Sequence, residues 1–160
     1  MTKLDAGLLD GTAMVADSFA LYALATEHSD AARQLHAALQ RGRLTLTVSA
    51  LAVATASGMR TCWDEYCPER HRLDSATLVR RLCTGPGVEV ADMSVEASVA
   101  AGRLYASCSA ARIEGPEVLS SCHSVLLAQE LGRDVLTVPR AAYCYSGPAV
   151  QELRCRTVLF

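Results

Sequence analysis

Short apolar runs of strand length alternate along the chain with longer segments of helical apolar spacing, and this alternation constrains the fold more than any single residue does. "AMVADS" makes a strand that ends at Asp17. The following "FALYALATEHSDAARQLHAALQRG" carries apolar residues at helical intervals, with Ser18 as a candidate cap, a break near His28 to Asp30, and Gly42 as a stop. "RLTLTVS" alternates as a strand rich in Thr, Leu and Val, and Ser49 is placed to cap the Ala-rich helix "ALAVATASGMR". Gly85, Pro86 and Gly87 mark a turn, around which "GVEVADMS" and then "VEASVAAGRLYASCSAARI" repeat the strand and helix pair. Pro116 suits the first turn of "PEVLSSCHSVLLAQELG", Gly132 ends it, and the strand "DVLTV" follows at once. "AVQELRCRTVLF" closes the chain with a short helix and a terminal strand. Alternation of this kind predicts an α/β three-layer sandwich, with a mainly parallel central sheet and helices on both faces.

A chain of 160 residues with 51% hydrophobic content supplies one sizeable core, which gives residues 1–12 as a leader and 13–160 as a single domain. The net charge is −2 and the basic residues are dispersed, so a contact with nucleic acid would have to be local. No apolar run reaches the length of a membrane span. The seven cysteines form no repeating framework, and the N-terminus lacks a basic start followed by an apolar run. Both features predict reduced thiols in a cytoplasmic protein. Neither G-x-G-x-x-G nor G-x-x-x-x-G-K-[ST] occurs, which argues against a plain nucleotide-binding sheet.

Parallel α/β sheets bind ligands beyond the carboxyl ends of their strands, where connections diverge to opposite faces. That rule directs attention to Asp17, Ser49 to Thr55, Asp92, and Val138 to Arg140.

The order of elements, the opening "VADSFALYAL" and the segment "HSVLLAQELGRDVLTVPRAAY" together resemble the PIN-domain family, small α/β nuclease folds that include VapC-type toxins cleaving RNA. The resemblance spans roughly residues 13–160. It implies four acidic positions holding one or two Mg2+ or Mn2+ ions, which orient a nucleophilic water and offset charge on the phosphate. Carried onto this sequence, the first position is Asp17, the second is Thr55, the third is Ser120 and the fourth is Pro139. Three of the four carboxylates are therefore replaced, and Arg140 follows the last replacement as a candidate phosphate contact.

Asp17 has two readings, a retained metal ligand and the N-cap of the next helix. Asp92, Glu114 and Glu117 are candidate substitute acids, although acids in a first helical turn also serve the helix dipole. Ser120, Ser121, Cys122 and His123 are neighbours on one helix and do not face each other, so they cannot pair a nucleophile with its base. Cys62, Cys67, His71 and Cys83 offer four zinc ligands at irregular spacing, against which free thiols are the plainer reading. Arg60, Arg70, His71, Arg72, Arg80 and Arg81 mix with Trp63 and Tyr66 in a stretch that could stack and neutralise single-stranded RNA. Asp64, Glu65, Glu69 and Asp74 are interleaved there, as on a solvated helical face.

The expectation is a PIN-like protein with a degenerate nuclease site, non-catalytic, needing no cofactor and acting by binding a protein partner or RNA. The alternative is an active Mg- or Mn-dependent ribonuclease of the toxin type that rebuilds its site from Asp17, Asp92 and Glu114 or Glu117. The Ala, Val and Leu content of the helices also permits a homodimer through an apolar helix contact.

Overall fold

The computed structural model describes the backbone of residues 2–3 and, in full, residues 11–59 and 74–160. Six strands, β1 (Thr2–Lys3), β2 (Thr12–Ala16), β3 (Leu44–Ser49), β4 (Val88–Ala91), β5 (Asp134–Thr137) and β6 (Thr157–Leu159), form one sheet in the order β1-β6-β5-β2-β3-β4. Every pairing is parallel. The α/β three-layer arrangement expected from the alternation is the one observed. Thr2–Lys3, inside the segment read as a leader, pair with Val158 and Leu159 at one edge. A strand of two residues has no period by which a sequence could announce it.

Strand alternation divides the core. Met14 and Ala16 on β2 and Leu136 on β5 point into one cluster, while Val15 and Val135 point into the other. The first cluster is filled by α1 (Ser18–Ala25), α2 (Asp30–Gln40), α3 (Ala50–Gly58) and α4 (Ser75–Cys83), through Leu21, Leu24, Leu35, Leu39, Val79 and Leu82. The second is filled by α5 (Val95–Ala110), α6 (Pro116–Leu131), the 3-10 segment Pro139–Tyr145 and α7 (Pro148–Glu152). Removing these side chains from water on both faces is the dominant favourable contribution to the fold.

Helix boundaries follow local chemistry. Ser49 Oγ accepts from the Ala52 N–H at 3.0 Å, as its position predicted. Pro116 opens α6, and Gly132 closes it in the left-handed region at φ 62°. At α1, of the two candidate caps Asp17 and Ser18, Asp17 is the one observed. Asp17 is the N-cap, with Oδ1 accepting from the Ala20 N–H at 2.7 Å, and Ser18 falls inside the first turn. The extended backbone of Asp17, φ −78° and ψ 177°, makes it the last residue of strand geometry, so its side chain is the one that turns back onto the helix. Ser18 Oγ is buried without a partner among the described residues.

Candidate functional site

The connection leaving β2 turns toward β3, whereas the one leaving β5 turns toward β6, so the carboxyl ends of β2 and β5 flank the point where the topology reverses. In register, Ala16 lies beside Leu136, which brings Asp17 next to Thr137, and the Asp17 N–H donates to Leu136 O at 3.2 Å.

Asp17 is fully buried. Its Oδ2 accepts from the Thr137 hydroxyl and from the Tyr145 hydroxyl, each at 2.5 Å, while Oδ1 holds the helix amide. Burial pushes the carboxyl pKa up, and the bonds from Thr137, Tyr145, Ala20 and Phe19 act against that rise. Burial, and then the adjacent carboxylate, hold the Tyr145 phenol well above its usual range. Nothing in sequence pointed to Tyr145, which is 128 residues away from its partner.

A cavity of about 540 Å3 is lined by Phe19, Ala54, Thr55, Gly58, Met59, Pro116, Glu117 and Arg140. Two positions aligned with missing acids border it differently. Thr55 is part of the wall, and Pro139 begins the 3-10 segment with its side chain exposed, so that Arg140 takes the wall position. Ser120 is fully buried within α6, and its Oγ has no partner among the described residues. The Arg140 guanidinium lies 5.2 Å from the Phe19 ring centroid and 5.7 Å from that of Tyr22, within range of a cation–π contact. Phe19 also meets Tyr143 edge to face, with centroids 6.4 Å apart. Glu117 Oε1 accepts from the Tyr143 hydroxyl at 2.8 Å.

The other sequence candidates stand apart from this cavity. Asp92 is exposed beyond the end of the outermost strand β4, and Glu114 is exposed and accepts from Ser109 Oγ at 2.9 Å. Among the described residues no three His, Cys, Asp or Glu side chains converge as a metal cradle. The described residues do not fit a divalent cation of the kind the resemblance implied. Asp17 accepts from donors of its own chain on both oxygens, and among the described residues no second carboxylate joins it. Cys62, Cys67 and His71 lie outside the described residues, as do Arg60, Arg70 and Arg72 with Trp63 and Tyr66; Cys83 is a half-buried free thiol.

The run Ser120 to His123 is buried throughout. Burial, with Cys108 alongside, pushes the Cys122 thiol up to about 12, which keeps it protonated. His123 is also buried, its Nδ1 has no partner among the described residues, and burial lowers its pKa. A base held neutral in the folded state takes up a proton more readily when unfolded. Stability is therefore expected to fall as pH drops below about 6.5, the unfolded value, toward the lower folded value. Thermal melts between neutral and mildly acidic pH check this, with His123→Leu expected to show a shallower loss. Asp17 acts with opposite sign, since its raised folded pKa makes stability decline as pH rises above the unfolded value near 3.8.

The chain matches no protein-family model, and no curated protein sequence matches it. A chain in the crystal structure of VapBC2 from Rickettsia felis bound to a DNA fragment from their promoter has the same fold, with a TM-score of 0.57 and 12% identity. The match covers 93% of this chain and 99% of that one. The PIN-like fold expected from sequence is thus shown. No helix among the described residues is long and apolar enough to cross a membrane.

Proposed function

We propose that this PIN-like chain is a non-catalytic binding module that receives a protein partner at the carboxyl end of its sheet. The observation that carries the reading is the commitment of Asp17. The one acid retained from the aligned set is buried, caps α1 and is bonded to two hydroxyls of its own chain. A carboxylate in that state serves the fold, and a cation would have to compete with the donors that already hold its oxygens.

The cavity beside it supports binding. Phe19, Ala54, Met59 and Pro116 offer apolar walls, and Arg140 and Glu117 place one charge of each sign among them. Small pockets with apolar walls and a few placed polar groups suit an inserted side chain more than a phosphate backbone, which asks for clustered cations. Arg140, stacked on Phe19 and Tyr22, makes no hydrogen bond among the described residues and can fork onto a carboxylate of the partner. The fold neighbour is a complex by its own description, which agrees with a protein-binding role for the fold.

The test is a photo-crosslinking residue placed at Thr55, on the cavity wall, in cells that express the chain. One discrete protein adduct is expected, and Arg140→Glu is expected to reduce it about tenfold or more by setting like charge against the partner's acid. Adducts to RNA alone, or Mn2+-dependent cleavage of single-stranded RNA by the purified chain, would instead support the toxin-type ribonuclease.

A further inference from the structure

A second cavity, of about 690 Å3, lies between α2 and α4 where the end of α1 meets them, and it shares no residue with the first. Its size suits a small organic molecule. Ala25, Ala37, Leu78, Leu82 and Pro86 give it aliphatic walls. No Phe, Tyr or Trp among the described residues joins them, so a planar base finds no ring to stack on.

The polar side of this cavity is fixed at a cost to the backbone. Glu27 follows the cap of α1 at φ 49°, the left-handed region in which glycine is usual. Its N–H donates to Leu24 O at 3.3 Å and the His28 N–H donates to Ala23 O at 3.2 Å, the two bonds of a Schellman turn. From there the Glu27 carboxylate accepts from His36 Nδ1 at 2.9 Å, and the Glu27 carbonyl accepts from Arg33 at 3.2 Å. Asp30 holds Arg33 from a second side. With Nδ1 donating, His36 Nε2 accepts from the Gln40 amide at 3.2 Å, which leaves Gln40 a second N–H to give. Gln40 also reaches the turn after α4, since a Cβ on Gly85 would lie 3.9 Å from its Nε2. Across from these α2 side chains, Arg81 on α4 lines the cavity, is exposed, and has no hydrogen bond or ion pair among the described residues. Two guanidiniums and one carboxylate leave the lining with an excess of positive charge.

We infer that this cavity binds a small aliphatic monocarboxylate, with its chain against the α2 and α4 walls and its carboxylate held by Arg81 and Gln40. The guanidinium fork matches a carboxylate with two parallel bonds. A phosphate head would also match the fork, but its second charge would stand against the Glu27 carboxylate, which lines the same space. The aliphatic walls select the body of the ligand, and the single unpaired guanidinium selects its head. This site is independent of the function proposed for the other cavity.

Titration of octanoate into the full chain, followed by amide NMR, tests this. Saturable shifts are expected at Ala37, Gln40, Leu82 and Gly85, with a dissociation constant below about 1 mM. Arg81→Glu is expected to weaken binding about tenfold or more, with the fold kept because the residue is exposed. Arg80→Glu makes the same change of charge at a neighbour outside the lining, and is expected to alter affinity less than about twofold. Octyl phosphate, which carries two charges above neutral pH, is expected to bind more weakly than octanoate. Shifts that do not saturate, shifts centred on Phe19 and Arg140 instead, or equal losses from Arg81→Glu and Arg80→Glu overturn the proposal. Tighter binding of octyl phosphate overturns the assignment of a carboxylate.

Discussion

Replacing Asp17 by Ala is expected to destabilise the protein by about 3 kcal/mol, a fall in Tm of roughly 10 °C for a domain of this size. The carboxylate accepts from the Ala20 amide, the Thr137 hydroxyl and the Tyr145 hydroxyl, and all three bonds are buried. Truncation strands those donors away from water and removes the cap of α1. The cap alone accounts for about 0.5–2 kcal/mol. Asp17→Asn is expected to cost only about 1 kcal/mol or less, because its amide oxygen keeps the cap and both hydroxyls can rotate to accept from its N–H groups. It also removes the charge that burial disfavours. Chemical denaturation of the two variants beside wild type measures both differences. The opposite order, or a gain in stability for Ala, would describe a strained catalytic acid instead of a structural one.

Gly87→Ala is expected to cost about 2–3 kcal/mol, although the change adds one methyl group at a turn. Gly87 has φ +78°, and a Cβ there would lie 3.1 Å from both Leu39 O and Leu44 O. These are backbone atoms at the end of α2 and the start of β3, so no side-chain rotation relieves the contact. Gly87 O also accepts from the Leu46 N–H at 2.7 Å, which ties the turn to β3. Strain at this point should loosen the pairing of β4 with β3 before the rest of the sheet. Denaturation midpoints check the magnitude, and hydrogen exchange at Val90 checks the location.

The sequence disclosed what depends on local chemistry. Ser49 as a cap, Pro116 and Gly132 as the limits of α6, and the strand before Pro139 each rest on a few adjacent residues, and each is found. The choice between Asp17 and Ser18 as cap was invisible because both residue types cap well. The decision came from β5, whose Leu136 carbonyl holds the Asp17 amide in strand geometry. The α4 helix was read only as part of a solvated helical face, although Leu78, Val79, Leu82 and Cys83 stand at helical spacing in it. Tyr145 shows the general limit. Its hydroxyl completes the buried network from a distant part of the chain, and only the folded sheet brings the two ends together. On α5 Val95 and Val99 face outward, which apolar spacing alone does not announce, because an apolar stripe does not say what covers it.

Arg140 illustrates the same division for the candidate site. Its place after β5 was legible, and so was the absence of an acid at Pro139. Its stacking on Phe19 and Tyr22 was not, since those rings arrive from α1. The cavity that Arg140 and Phe19 share with Met59 and Pro116 has mostly apolar walls.

Titration of Mn2+ into the purified wild-type chain by calorimetry, with Asp17→Asn as control, tests the central claim most directly. No saturable heat is expected for either protein, because a cation would have to compete with the donors of the fold that already hold the Asp17 oxygens. Saturable binding of one or two ions to wild type that disappears in Asp17→Asn would contradict it, and would establish that carboxylates assemble around Asp17 into a working metal site.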